Sequence, residues 1–182
     1  TLSALAEVNT SGTITATSAA TVTGTAAEII ASFGNNTITE ASNVAININS
    51  GTASLTQART IDGYTTGVVT ATIADTRVSD LVGSSPLLDA NSNNAFTVTI
   101  GTADAEITAA NLTTLNGLTS VAIEAGNVTK ITGTVAATNT VYAAAGNSEI
   151  NGLGNEAVVI SGESSNTLSD ASTLNTLDGY TT

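Results

Sequence analysis

The sequence predicts an α/β solenoid, in which parallel strands stack into a sheet and short helices cover its outer side at about 28 residues per turn. Three observations carry that expectation. A motif recurs along the chain, runs of β-branched residues in period two alternate with stretches of helical spacing, and 41% of the 182 residues are hydrophobic while only 10% are charged. A lone turn of this size cannot bury its apolar stripe, so its neighbours supply the core. A parallel β-solenoid without helices is the competing architecture, because threonine-rich helices are intrinsically weak.

The recurrence is clearest in Asp62-Gly63-Tyr64-Thr65-Thr66, which returns as Asp178-Gly179-Tyr180-Thr181-Thr182. Around it four stretches align, from Thr1, Gln57, Asn111 and Ala171, with Leu5, Ile61, Leu115 and Leu177 as common anchors 56, 54 and 62 residues apart. A Thr-Gly-Thr element leading an alanine-rich run also occurs twice, in the stretches from Thr21 and from Lys130. The chain thus reads as one continuous repeat array over 1–182, with units of about 1–56, 57–110 and 111–172 and the start of a further unit at 173–182. It is expected to be a segment of a longer chain.

Taken in order, the expected strands are "TITAT" (Thr13 to Thr17), "VAINI" (Val44 to Ile48), "VVTATI" (Val68 to Ile73), "FTVTI" (Phe96 to Ile100), "VAIEA" (Val121 to Ala125) and "AVVI" (Ala157 to Ile160). Between them, "SLTQARTIDG" has helical spacing: Ser54 can cap it, Leu55, Ala58 and Ile61 share a stripe, and Gly63 can end it. The same pattern places helices on Thr108, Leu112, Leu115 and Gly117, and on Ser169, Leu174, Leu177 and Gly179. In the repeated pentapeptide, glycine is expected in the left-handed terminal conformation, tyrosine over the core edge, and threonine at the start of the next strand.

Fifteen acidic residues against three basic ones (Arg59, Arg77 and Lys130) give a net charge of −12, which repels a phosphate backbone. No nucleic-acid partner is expected, and no docking on an anionic membrane. The longest apolar run falls far short of a span, so no membrane insertion is expected either. The chain has no Cys, His, Met or Trp, which removes thiol chemistry, imidazole acid–base work and the usual zinc, iron and copper sites.

Nothing among the remaining residues assembles a catalytic pattern. Lys130 is the only lysine, and "GYTTG" and "GESSN" are not the Gly-x-Ser-x-Gly of a nucleophile elbow. Asp75, Asp80, Asp89 and Glu106 supply carboxylates, but the chain lacks the aromatic residues that a sugar-cleaving cleft recruits. The chain is not expected to be an enzyme.

One string resembles a metal site. In "DANSNN", Asp89, Asn91 and Asn93 match the alternate oxygen ligands that begin a calcium loop, and Asp104 and Glu106 are candidates to complete the shell from the next turn. Against this, Asn94 stands where the loop needs glycine and Ile100 where it needs the bidentate glutamate. A solvated loop after Pro86 is the simpler expectation, so no cofactor is required, with calcium as the one exception considered. Thr-x-Thr strings at Thr15/Thr17, Thr70/Thr72 and Thr97/Thr99 raise ice binding, but Ile46/Ile48, Ile123/Ala125 and Val158/Ile160 break the array. Asn9, Asn35, Asn111 and Asn127 head Asn-x-Ser/Thr triplets, which a chain rich in both residues also produces by chance.

The stretches "TIDGYTTGVVTATIADT", "LNTLDGYTT" and "ITGTVAATNTVYAAAGNSEINGLGNEAVVISG" resemble the tandem Thr/Ala/Asn-rich repeats of very large secreted surface proteins of marine cyanobacteria and some other bacteria. The resemblance covers nearly the whole chain. It implies an extracellular or cell-surface location and a structural, self-associating or adhesive role, and it transfers no catalytic residue. The segment shows no capping repeat, so further repeats or a head-to-tail neighbour are expected at its ends, and such heterologous contacts generate filaments when they do not close. The expected function is an extracellular structural repeat protein that forms or decorates a filament, sheath, surface layer or adhesin stalk by repeat stacking and homopolymeric self-association. The alternative is a calcium-dependent adhesin or carbohydrate-binding module.

Overall fold

Among the described residues, short strands in which apolar and polar residues alternate build an α/β fold of several small parallel sheets and six helices. The computed structural model describes residues 14–34, 38–83, 93–162 and 171–180. Packing divides the chain into two compact units, one of Thr1–Asp75 with Leu87–Thr97, the other of Thr76–Pro86 with Val98–Thr182.

The first unit contains β1 (Ile14–Ala16), β2 (Thr21–Gly24), α1 (Ala26–Gly34), β3 (Ile38–Glu40), β4 (Ala45–Ile48), α2 (Leu55–Asp62), β5 (Val69–Thr72) and β6 (Ala95–Thr97). β1 pairs with β3, and a four-stranded sheet has the order β2-β4-β5-β6, with every pairing parallel. Alternation sets the faces: Val69 and Ala71 of β5 are buried while Thr70 and Thr72 point to solvent. Both helices start at side-chain caps. Thr25 and Glu28 exchange hydrogen bonds at the head of α1, and Ser54 and Gln57 form a capping box at the head of α2. The Asp75 carboxylate also accepts from the Leu55 N–H at 2.6 Å.

The second unit contains α3 (Val78–Leu81), a 3-10 turn (Thr102–Asp104), β7 (Glu106–Thr108), α4 (Ala109–Asn116), β8 (Ile123–Glu124), β9 (Lys130–Gly133), α5 (Val135–Gly146), β10 (Ile150–Asn151), β11 (Ala157–Ile160) and α6 (Ala171–Asp178). Its sheets have the orders β11-β9-β7 and β10-β8, again all parallel. Leu112, Leu115, Ile123 and Ile131 are fully buried and form part of its core, and Thr108 and Thr134 cap α4 and α5 through their hydroxyls.

The expected α/β solenoid is corrected by this arrangement. No single sheet runs along the described chain: the strands fall into four separate sheets of two, two, three and four members. Bends divide the strands into pieces of only two to four residues, and the pieces on either side of a bend, such as β3 and β4 or β10 and β11, belong to different sheets. The spacing of paired residues is also uneven, 23 from Ile46 to Val69 against 27 from Lys130 to Ala157, where the expected turn is a fixed one of about 28. The all-β alternative is overturned by the six helices.

Two local expectations also change. Gly63 and Gly117 end their helices at φ −66° and −72°, in the right-handed region, and Gly179 is not among the positive-φ residues. These helices stop because the next residues leave for the following strand, with Tyr64 N–H and Leu118 N–H closing the last turn on the carbonyls of Ile61 and Leu115. Ile61, Leu115 and Leu177 are buried as expected, while Leu5 and the proposed cap Ser169 lie outside the described residues.

Candidate functional site

The candidate calcium residues are not gathered into a site by the described structure. Asp89 and Asn91 lie outside the described residues, and Asn93 sits exposed at φ 47°, ahead of β6. Asn94, which replaces the loop glycine, is only 2% exposed and has a structural part to play. Its Oδ1 accepts from the buried Val69 N–H at 2.8 Å, and its Nδ2 donates to Asp62 Oδ1 at 2.6 Å. Asp104 and Glu106 are also engaged: Asp104 Oδ2 accepts from the Val78 N–H at 2.8 Å, and Glu106 forms an ion pair with Lys130 from the neighbouring strand. Among the described residues no group of three or more Asp, Glu, His or Cys is placed to hold a metal ion.

Glu28 and Glu156 serve the architecture in the same way. Glu28 is held below the usual carboxylate range by the backbone and side-chain hydrogen bonds from Thr25. Glu156 is buried, accepting from Tyr142 Oη at 3.0 Å and from the Gly154 N–H at 2.8 Å. Burial first, and then the Glu156 carboxylate, push the Tyr142 hydroxyl well above its ordinary value. Burial likewise raises Glu40.

The repeated pentapeptide turns out to be a clasp. In its first copy Asp62 receives Asn94, Tyr64 stacks on Phe33 of α1 with ring centroids 5.5 Å apart, and Thr65 Oγ1 donates to the Val44 carbonyl at 2.5 Å. The Thr66 N–H then donates to the Ser42 carbonyl at 2.8 Å. In its second copy Tyr180 stacks on Tyr142 of α5 at 5.6 Å. Thr181 and Thr182 lie outside the described residues.

Two kinds of surface remain for a partner. Three grooves of the second unit have volumes of about 260, 280 and 320 Å3, at the lower limit for small-molecule sites. Two of them share Asn116 and Glu149, whose side chains are joined at 2.9 Å. The solvent face of the four-stranded sheet brings Thr23, Asn47 and Thr70 into one row and Thr72 beside Thr97, with Ala45 and Ala95 interrupting. That face and the sheet edges are the second kind. β11 ends its sheet, and Val159 on it is 43% exposed.

Among the described residues no helix is long and apolar enough to cross a membrane. No protein family model matches the chain, and no curated protein or solved structure is similar to it.

Proposed function

We propose that the chain is an extracellular or cell-surface structural repeat protein, without catalytic activity, that forms or decorates a filament, sheath, surface layer or adhesin stalk by self-association. One observation supports this most: the two units contain the same design. Thr-Gly-Thr leads from β2 into α1 and from β9 into α5, and each of these helices carries an aromatic residue under the tyrosine of a following Asp-Gly-Tyr. Duplication of a packing device, with acidic side chains engaged at helix caps and in the Glu106–Lys130 ion pair, suits a protein whose task is to be a scaffold. The resemblance to secreted surface repeats points the same way.

Negative-stain electron microscopy of the native material, with and without a chelator, tests the proposal. Ordered filaments or sheets that survive chelation are the expected result. Assemblies that dissolve on chelation would favour the calcium-dependent adhesin, and single compact particles in both conditions would overturn self-association.

A further inference from the structure

The pairing of β2 with β4 is repeated by β9 and β11. Thr23 lies opposite Asn47 and Gly24 opposite Ile48, as Thr132 lies opposite Val159 and Gly133 opposite Ile160. The flanking hydrogen bonds match as well: the Ala45 and Asn49 N–H groups donate to the carbonyls of Ala20 and Gly24, and the Ala157 and Ser161 N–H groups to those of Thr129 and Gly133. β11 is therefore the counterpart of β4. β4, however, is an inner strand, because its far side takes β5, with Ile46 opposite Val69 and Asn47 opposite Thr70. Among the described residues nothing pairs with that side of β11. Since successive N–H groups along a strand alternate in direction, those of Val158 and Ile160 face it.

The counterpart of β5 is β1. "GTITAT", from Gly12, repeats "GVVTAT", from Gly67. Each strand takes a parallel partner from about two dozen residues later, Ile14 opposite Ile38 and Ala71 opposite Phe96, and right-handed crossovers put that partner on the same side of both. The side of β1 that corresponds to the β4 side of β5 has no strand among the described residues. Burial agrees with both assignments. Ile14 and Ala16 are half-buried where Val69 and Ala71 are buried, and Val158 and Ile160 are half-buried where Ile46 and Ile48 are buried.

We propose that copies of this chain join head to tail, the open edge of β11 in one copy pairing in parallel with the open edge of β1 in the next. Val158 then lies opposite Ile14, and Val159 opposite Thr15. The contact reproduces the internal β4–β5 pairing, completes the cover of both half-buried faces, and places no charged residue of either strand in the seam. It rests on the self-association reading and names the surfaces that carry it. Heterologous pairing of this kind builds a ring where its rotation closes and an open filament where it does not.

The chain has no cysteine, so disulfide trapping starts from a clean background. In the double variant T15C/V159C both substituted sites are solvent-exposed, and facing residues of paired strands are within disulfide reach. Mild oxidation should give a ladder of multimers on a non-reducing gel that collapses on reduction. T39C/V159C, with its first cysteine one strand further away at about 10 Å, should give none. Val159→Asp should lower the sedimenting mass several-fold. Polymers of the unmodified chain without a T15C/V159C ladder, or an equal ladder from the control, would overturn this contact and leave self-association standing. Monomers at every concentration, with no ladder, would overturn both.

Discussion

Tyr180 lies on Tyr142 with ring centroids 5.6 Å apart and planes inclined by 9°, the same relationship that Tyr64 has to Phe33 at 5.5 Å and 21°. The two pairs hold corresponding places. Phe33 and Tyr142 are each the eighth residue after the second threonine of a Thr-Gly-Thr element, and Tyr64 and Tyr180 each follow a helix-ending Asp-Gly. Offset stacking adds about 0.5–1.5 kcal/mol to what area burial supplies, and here it fixes one helix of a unit against the next. A chain with only five Phe and Tyr residues therefore places four of them in two clasps.

Tyr142 differs from Phe33 by its hydroxyl, which is the donor to buried Glu156. Tyr142→Phe keeps the ring but leaves that carboxylate with one donor fewer, so denaturant unfolding should show a loss of about 1–3 kcal/mol at neutral pH. The alkaline limb gives a second readout. Because the folded state raises the Tyr142 pKa, its stabilising effect is complete below the unfolded value of about 10 and declines as pH rises above it. Tyr142→Phe should flatten that decline. An unchanged alkaline limb would contradict the hydroxyl's burial.

The strands and helices that could be read from the sequence are those with strong local contrast. Val69 and Ala71 alternate with Thr70 and Thr72, and Leu112 and Leu115 stand on one stripe behind a threonine cap, so β5 and α4 were legible. α5 was not, because the small residues of "VAATNTVYAAA" surround the helix and give no stripe, whereas α1 has one in Ala26, Ile29 and Ser32 whose last member is polar. Their caps were the available signal, especially Thr25 with Glu28 three residues on. In α5 the β-branched Thr138 and Thr140 turn their hydroxyls back to the carbonyls of Thr134 and Ala136, which satisfies them within the helix. β8 and β10 are two residues long and exist through pairing with each other and, for β8, with a bridge to Thr99. The structural part of Asn94 was not legible for a related reason, since its partners Val69 and Asp62 are 25 and 32 residues away.

Glycines that look alike in the sequence should respond oppositely to alanine. A Cβ on Gly67 would lie 2.5 Å from the Asn43 carbonyl oxygen, a backbone atom that cannot swing aside. On Gly117 the nearest atom is 3.5 Å away and φ is −72°. Gly67→Ala should cost more than about 1 kcal/mol, while Gly117→Ala should stabilise by about 0.4–1 kcal/mol through the unfolded chain. Thermal melts of the two variants check the contrast, and a neutral Gly67→Ala would refute the close approach.

Leu115 is fully buried whereas Leu174, on the matching helical stripe of α6, is only half-buried. Leu115→Ala should cost about 2–5 kcal/mol, because a cavity is added to the lost transfer energy. Leu174→Ala should cost clearly less. Equal losses in urea unfolding would show that the stripe is not what holds α4.

Glu40 has its Oε1 buried without a hydrogen-bond partner among the described residues, and burial raises its pKa. The protonated form is thus the one the fold prefers, so its contribution is favourable below about pH 4.3 and is lost as pH rises through the raised folded value. Glu40→Gln should therefore increase the melting temperature at pH 7 and leave it little changed at pH 3. A variant that is less stable at pH 7 would mean that the carboxylate has a partner worth more than its burial costs.

The Asn94 carboxamide separates a calcium loop from a structural one. If the segment from Asp89 works by binding calcium, Asn94 occupies the place of a turn glycine, and shortening it should leave calcium-dependent stability intact or improved. The geometry instead makes it the acceptor for the buried Val69 N–H and the donor to Asp62. Asn94→Ala should then lose about 1–3 kcal/mol, since the Val69 N–H is left unpaired at the start of β5. Calcium should not restore it. Melting curves of both proteins with millimolar calcium and with chelator decide the matter: a calcium-dependent rise in the unmodified chain that survives in the variant would restore Asp89, Asn91 and Asn93 as ligands.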